Sequence, residues 1–191
     1  MAFYLETSRL ILRSFEEKDT QPFSEYRSDP EIAKYQGWNI PFTIMQAVDF
    51  VNEMKLVTPG EPGHWYQIAI ELKTHNQMIG DCAFHRSAED PAQAEIGFTL
   101  AHDFQGKGFG TEAVSRLLKY LFVDLDLHRV KAGCDPNNTA SKKLLEKVGM
   151  RHEGRFIESY WLKGEWVSED WYALLKREWV SRHQFENERW R

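Results

Sequence analysis

The residues best suited to chemistry are consecutive: Gln105-Gly106-Lys107-Gly108-Phe109-Gly110-Thr111. Closely spaced glycines let the backbone turn tightly and aim successive N–H groups outward. They run into an apolar-periodic segment, so these groups join the unpaired donors and partial positive charge of a helix N-terminus. That combination suits a phosphate or pyrophosphate, although an ordinary glycine turn fits the same residues. The spacing is not GxxxxGK[ST], which disfavours a P-loop nucleotide site. It is G-x-G-x-G rather than G-x-G-x-x-G, with no strand acid ~20 residues later, so a Rossmann dinucleotide site fits poorly. Other reactive groups are dispersed. Cys82 and Cys134 lie far apart without CxxC spacing and read as two thiols in a reducing cytoplasm. The 7 histidines are scattered with no HExxH, so no metal is expected.

Around this loop the elements alternate. Arg9 to Arg13 reads as a short strand, and Glu16–Tyr26 and Ile44–Leu56 show apolar residues at helical spacing. Thr58 to Gly63 is the clearest loop. His64–Leu72 and Gln77–Phe84 read as paired strands, joined by a polar turn around Thr74-His75-Asn76. In Glu95–Leu100, Ile96, Phe98 and Leu100 alternate against Glu95, Gly97 and Thr99. The glycine loop therefore sits between a strand and the strongest helix, whose stripe is Phe109, Ala113, Val114, Leu117, Leu118, Leu121 and Phe122. Arg129–Cys134 follows as a strand, then Asn138–Lys147 as a helix closed by Gly149. Met150 to Trp179 alternates like two long strands turning near Lys163-Gly164-Glu165. The last dozen residues read as a short helix or a frayed tail.

The chain has 191 residues, one domain's worth, and needs no staples to fold. Its net charge of −5 argues against a nucleic-acid partner, which calls for a concentrated positive face. No apolar run is long enough to span a bilayer, and the first residues do not resemble a signal peptide. The expected location is the cytoplasm, with no membrane partner. The composition is that of an ordinary globular protein, with aromatics high at 14%.

Gln105-x-x-Gly108-x-Gly110 resembles the Q/R-x-x-G-x-G/A signature of the GCN5-related N-acetyltransferases (GNAT). Further stretches resemble the RimJ/RimL-like branch, named for ribosomal-protein alanine and serine acetyltransferases. These are Thr7-x-Arg9-Leu10-x-Leu12-Arg13, Ile79-Gly80, Glu95-Ile96-Gly97-Phe98 and Thr111-Glu112-Ala113. Asn138-Thr139-Ala140-Ser141, Leu145 to Met150, and Trp166 to Leu175 with Asp170 and Tyr172 continue it. The likeness spans roughly residues 5 to 179, in one consistent order.

The resemblance implies an α/β (α+β) fold with a mixed, mostly antiparallel twisted sheet of about seven strands and about four flanking helices. A V-shaped cleft would open between the fourth and fifth strands. Residues 1–180 would form one acetyltransferase domain and 181–191 a C-terminal tail. It implies an acyltransferase that moves an acetyl group from acetyl-CoA directly to a primary amine, either a protein N-terminal α-amine or a small-molecule amine. The alternative is a non-catalytic acyl-CoA-binding or sensing module of the same fold. The amides of residues Gln105, Gly106, Lys107, Gly108, Phe109, Gly110 and Thr111 would hold the pyrophosphate, and backbone groups of Phe98 and Leu100 the pantetheine arm. The Leu100 amide would face the thioester carbonyl.

By the same likeness, Asn138 and Ser141 would touch the arm, although a helix N-cap suits Asn138 equally. Lys107, Lys142 and Lys143 are the cations placed for the 3′-phosphate. Glu95 is the first candidate base, ahead of Glu112. The family's tyrosine acid is replaced by Leu145, leaving Ser141 as the nearest hydroxyl. Trp38, Trp65 and Tyr66 fall in acceptor-side segments, as pocket walls or packing, whereas Trp161, Trp166, Trp171 and Trp179 are assigned to packing. The branch commonly forms homodimers.

Overall fold

The computed structural model describes residues 3–188, with side chains described through residue 183. Eight strands form one sheet in the order β1-β2-β3-β4-β5-β6-β8-β7. They are β1 (Tyr4–Glu6), β2 (Leu10–Arg13), β3 (Trp65–Leu72), β4 (Gln77–Arg86), β5 (Gln93–Leu100), β6 (Arg129–Cys134), β7 (Arg151–Leu162) and β8 (Glu165–Leu175). Every pairing is antiparallel except β5 with β6. The strand beyond the expected seven is β1, which pairs with β2. It moves the expected cleft to the junction of β5 and β6.

Helices cover the two faces of the sheet unequally. On one face lie α4 (Phe109–Lys119) and α5 (Thr139–Lys147). Phe109, Ala113, Val114, Leu117, Leu118 and Leu145 close there over Ile68, Cys82, Phe84, Ile96, Val130, Ala132 and Tyr172, all buried. This is the stripe expected from the periodicity, carried onward by a π-helical segment, Tyr120–Asp124, that buries Leu121 and Phe122. On the other face, α1 (Thr20–Arg27), α2 (Pro30–Ala33) and α3 (Ile44–Met54) pack a smaller aromatic core of Phe15, Phe23, Tyr26, Phe42 and Val51 against Ala69. Local chemistry fixes their starts. Asp29 caps α2, with Pro30 at its first position, and Thr43 and Gln46 form a capping box on α3.

The last described element is α6 (Lys176–Glu188). A helix thus spans most of the expected tail, while residues 189–191 lie outside the described ones. Glu178 in its first turn accepts the Leu175 amide at 2.9 Å and pairs with Arg151.

The tryptophans on β7 and β8 correct one expectation. Trp161 and Trp166 do pair across the strands, edge to face at 5.3 Å, yet they are 56% and 58% exposed. Phe156, Ile157 and Tyr160 are exposed beside them. Strand alternation alone does not say whether a second layer covers a face. Here both tryptophans stay more than half exposed.

Candidate functional site

Strands β5 and β6 stay paired only at Gln93–Arg129, Ala94–Val130 and Glu95–Lys131. Beyond Glu95 they part, so Ile96–Leu100 and Ala132–Cys134 form the lips of a V. On its far side β5 remains zipped to β4 through Leu100. The Ala101 amide donates to the Ile79 carbonyl of β4 at 2.9 Å. By the two-residue period of a strand, the amides of Phe98 and Leu100 therefore point the opposite way, into the V. The Leu100 carbonyl is already taken: Gln105 Nε2 donates to it at 2.9 Å. Gln105 thereby ties the start of the glycine loop to the lip.

The loop itself has the backbone the sequence called for. Gly106 and Gly108 adopt φ of +72° and +81°, the left-handed region that glycine enters without penalty. Gly108 is the N-cap of α4 and supplies no capping side chain. The first N–H groups of α4 therefore keep the unsatisfied donors of an uncapped helix start. At Gly110 the constraint is space: a Cβ there would stand 2.7 Å from Leu144 Cδ1 and 3.3 Å from Leu100 Cδ1. Glycine lets α4, α5 and the lip of β5 meet.

Phe98 and Leu100 turn their side chains toward the α4–α5 core. Glu95, Gly97 and Thr99 alternate onto the other face, beneath α1–α3. There Glu95 lies in a row across four strands, Trp65–His85–Glu95–Lys131. Its carboxylate pairs with Lys131 Nζ at 3.3 Å, at the apex of the V, and that ammonium lies 4.5 Å above the Trp171 ring. One step toward the lips, no atom comes within 4 Å of where a Gly97 Cβ would stand. Gly97 thus faces open space, a hollow on this side of the sheet. Thr99 Oγ1 accepts from Gln36 Nε2 at 3.3 Å, marking the hollow's α2 side. Above it, Lys163 at the β7–β8 turn donates to the Ala33 carbonyl at 2.7 Å.

Several expected residues have partners within the chain, and the N-cap role of Asn138 is compatible with the expected contact to the arm. Asn138 Oδ1 accepts the Ser141 amide at 3.1 Å, so Asn138 is the N-cap of α5. Lys142 does not stand free for a phosphate, because its ammonium pairs with Asp170 at 3.2 Å. Lys107 and Lys143 are exposed. Leu145, where the family tyrosine would be, is fully buried in the core. Tyr66 is core as well, hydrogen-bonded to Ser14 at 2.9 Å. Trp38 is half-buried, donates to the Arg27 carbonyl at 2.8 Å and lies 4.1 Å from the Arg27 guanidinium, whereas Trp65 is exposed beside His85. Glu112 is turned to the β1–β2 loop and held at a pKa of about 2: its partial burial is outweighed by hydrogen bonds from Thr7, Arg9 and Ser8.

Two buried clusters were not anticipated. Asp170 on β8, opposite Cys134, collects Arg155, Lys142 and His152, whose hydrogen bonds hold its carboxyl well below the carboxylate range. Burial and Asp170 together push the Cys134 thiol up to about 11, which suits a protonated thiol rather than a nucleophile. On the α1–α3 face, buried Asp81 accepts from Tyr26 and Gln67 with Arg27 at 3.7 Å. Neither carboxylate stands in a sequence pattern that marks burial.

Residues 9–151 match the family model of an acetyltransferase (GNAT) domain. The chain belongs to the GNAT family. The uncharacterized N-acetyltransferase p20 of Bacillus licheniformis is 36% identical to this GNAT chain over an alignment of 180 residues that covers 92% of this chain and 98% of that one. The crystal structure of a GNAT-family acetyltransferase from Bacillus anthracis superposes with a TM-score of 0.81 at 34% identity, covering 92% and 100% of the two chains. Mycobacterium smegmatis RimJ, in complex with CoA-disulfide, shares the fold at a TM-score of 0.77 and 20% identity, covering 95% and 94%. This GNAT protein is therefore an N-acetyltransferase enzyme. Among the described residues, no helix is long and apolar enough to cross a membrane, and no group of three or more His, Cys, Asp or Glu side chains is placed to hold a metal.

Proposed function

We propose that this enzyme moves the acetyl group of acetyl-CoA directly to a primary amine, a protein N-terminal α-amine or a small-molecule amine. The observation that carries the reading is the interrupted β5–β6 pairing beside an uncapped, glycine-led helix start. Together they offer a slot with unpaired amides for an extended pantetheine arm and a donor cluster for a pyrophosphate. Acetyl-CoA, when bound, supplies the activated thioester.

The chain's own residues then divide the work. Amides of residues 105–111 would bind the pyrophosphate, with Lys107 and Lys143 toward the 3′-phosphate. Phe98 and Leu100 would orient the arm, and the Leu100 N–H would meet the charge that develops on the carbonyl oxygen. A donor so aimed contributes ~2.7–4 kcal/mol. Glu95 lies on the acceptor face and Ser141 on the α5 face. A base at the incoming amine and an acid at the leaving sulfur would therefore act from opposite sides of the sheet. An α-amine of pKa ~8 is already about one-tenth neutral at pH 7, so it asks little of Glu95. The leaving thiol, with a pKa of ~8.5, asks little of Ser141.

We read residues 1–180 as the catalytic domain with 181–191 appended, acting in the cytoplasm without nucleic-acid or membrane partners. A homodimer is supported by the apolar residues exposed on the β7–β8 hairpin, since soluble monomers rarely leave such a contiguous patch open. The deciding experiment follows thiol release from acetyl-CoA over a panel of amines and N-terminal peptides. Turnover with one acceptor class is expected. Binding without turnover on every acceptor would overturn the reading. Full kcat in both Glu95→Gln and Ser141→Ala across pH 6–9 would remove their roles as base and acid.

A further inference from the structure

We infer that Arg9 and Glu112 form a clasp that sets the conformation of the glycine loop, making both positioning residues for the coenzyme pyrophosphate. The inference rests on the acetyl-CoA reading above. Residues Thr7 to Arg9 form the turn between β1 and β2, far from the loop in sequence, with Arg9 and Lys107 98 residues apart. Yet this turn closes on one carboxylate of α4. Glu112 Oε1 accepts from Thr7 Oγ1 at 2.6 Å, Ser8 Oγ at 3.0 Å and the Arg9 amide at 2.9 Å. Glu112 Oε2 accepts from Arg9 Nε at 2.6 Å.

From that anchor the Arg9 guanidinium touches three consecutive loop residues. Nη1 donates to the Lys107 carbonyl at 3.2 Å, Nη2 lies 3.5 Å from where a Gly108 Cβ would stand, and the group sits 4.4 Å above the Phe109 ring. The contact with Lys107 carries the consequence. In a trans peptide the C=O and the following N–H point in opposite directions. Holding the Lys107 carbonyl toward Arg9 therefore turns the Gly108 N–H away from Arg9, to the opposite side of the loop. A left-handed Gly108 then passes the chain into α4 with its first amides open.

Energy alone would not single out this contact. Arg9 is nearly half exposed, and an exposed ion pair is worth ~0–1 kcal/mol. What distinguishes it is geometry: one carboxylate with four donors, and one planar guanidinium that fixes the peptide preceding the helix. Neither residue faces the V between β5 and β6. Their effect should therefore fall on the pyrophosphate and not on the acetyl group.

The test compares two acetyl donors on the full-length protein. S-acetylpantetheine keeps the thioester and arm but lacks the pyrophosphate and the 3′-phosphoadenosine attached to it. Arg9→Ala and Glu112→Gln are each expected to lower the ratio of kcat/KM for acetyl-CoA to that for S-acetylpantetheine about tenfold, mainly through the KM of acetyl-CoA. Arg9→Lys, which keeps charge but loses the planar fork, should recover little of the ratio. Should Arg9→Ala fail to fold, Arg9→Met keeps an apolar stem over Phe109 and serves the same comparison. An unchanged ratio overturns the clasp, whether both donors are untouched or both are weakened equally. If the wild-type enzyme used the two donors with equal efficiency, the pyrophosphate reading itself would fail, and the clasp with it.

Discussion

The two faces of the sheet solve different problems. Toward α4 and α5, the surroundings of the β5 lip are specified to the ångström: Gly110 admits Leu144 and Leu100, Gln105 ties the loop to the lip, and Arg9 with Glu112 grips its outer side. Toward α1–α3, the ground around Gly97 is left open, with exposed Trp65 on one flank and a hairpin tip held to α2 by Lys163. A face that takes one fixed ligand can be rigid. A face that admits a variable amine is better served by a hollow with movable walls. On the function proposed above, donor recognition would reside in backbone geometry and acceptor recognition in side chains.

That contrast can be broken experimentally, and the largest effect belongs to the rigid face. Gly108→Trp forces a side chain into a left-handed position against Arg9. It should weaken acetyl-CoA binding roughly 100-fold by calorimetry. Unchanged affinity would take the pyrophosphate away from this loop. Next comes a change aimed at the open face. Gly97→Leu fills the hollow without backbone strain and should raise the acceptor KM about tenfold, leaving the KM for acetyl-CoA within about twofold. An equal rise in both would show that the two faces are not separate.

Glu112→Gln sharpens the comparison through pH. Its carboxyl is held below its unfolded value, so the stabilisation is fully present above pH ~4.5 and is lost as pH falls toward 2. The variant should be on the order of 2 kcal/mol less stable at pH 7, with the gap narrowing by pH 3 in denaturant titrations. A gap that stays constant with pH would mean the carboxylate's charge is not what the turn recognises. The smallest effect is expected on the hairpin. Trp166→Ala, at an exposed site, should cost less than ~1 kcal/mol of subunit stability, against about 3–5 for Phe23→Ala in the α1–α3 core.

What the sequence disclosed follows the same division. Period and turn chemistry are local, so every strand but the three-residue β1, together with α4, α5 and the glycine loop, could be read directly, although the last strand was expected to run on into what is α6. The point at which β5 and β6 part could not, because it depends on a register between segments joined by a long crossover. The exposure of Trp161 and Trp166 was hidden for a similar reason, since alternation does not reveal whether a layer is missing. Arg9 and Glu112 were visible only as parts of separate motifs. Their meeting belongs to the tertiary structure, and so does the burial of Asp81 and Asp170.

The parting of β5 and β6 also bears on solubility. Unpaired strand amides on the outside of a sheet are templates onto which another chain can add, and proteins guard them against aggregation. Here such amides, at Phe98 and Leu100, lie in the middle of the sheet, reachable only through a slot between two strands that are still joined at one end. The same sticky backbone that would be a hazard at the margin of the sheet is, in its interior, safe to leave uncovered.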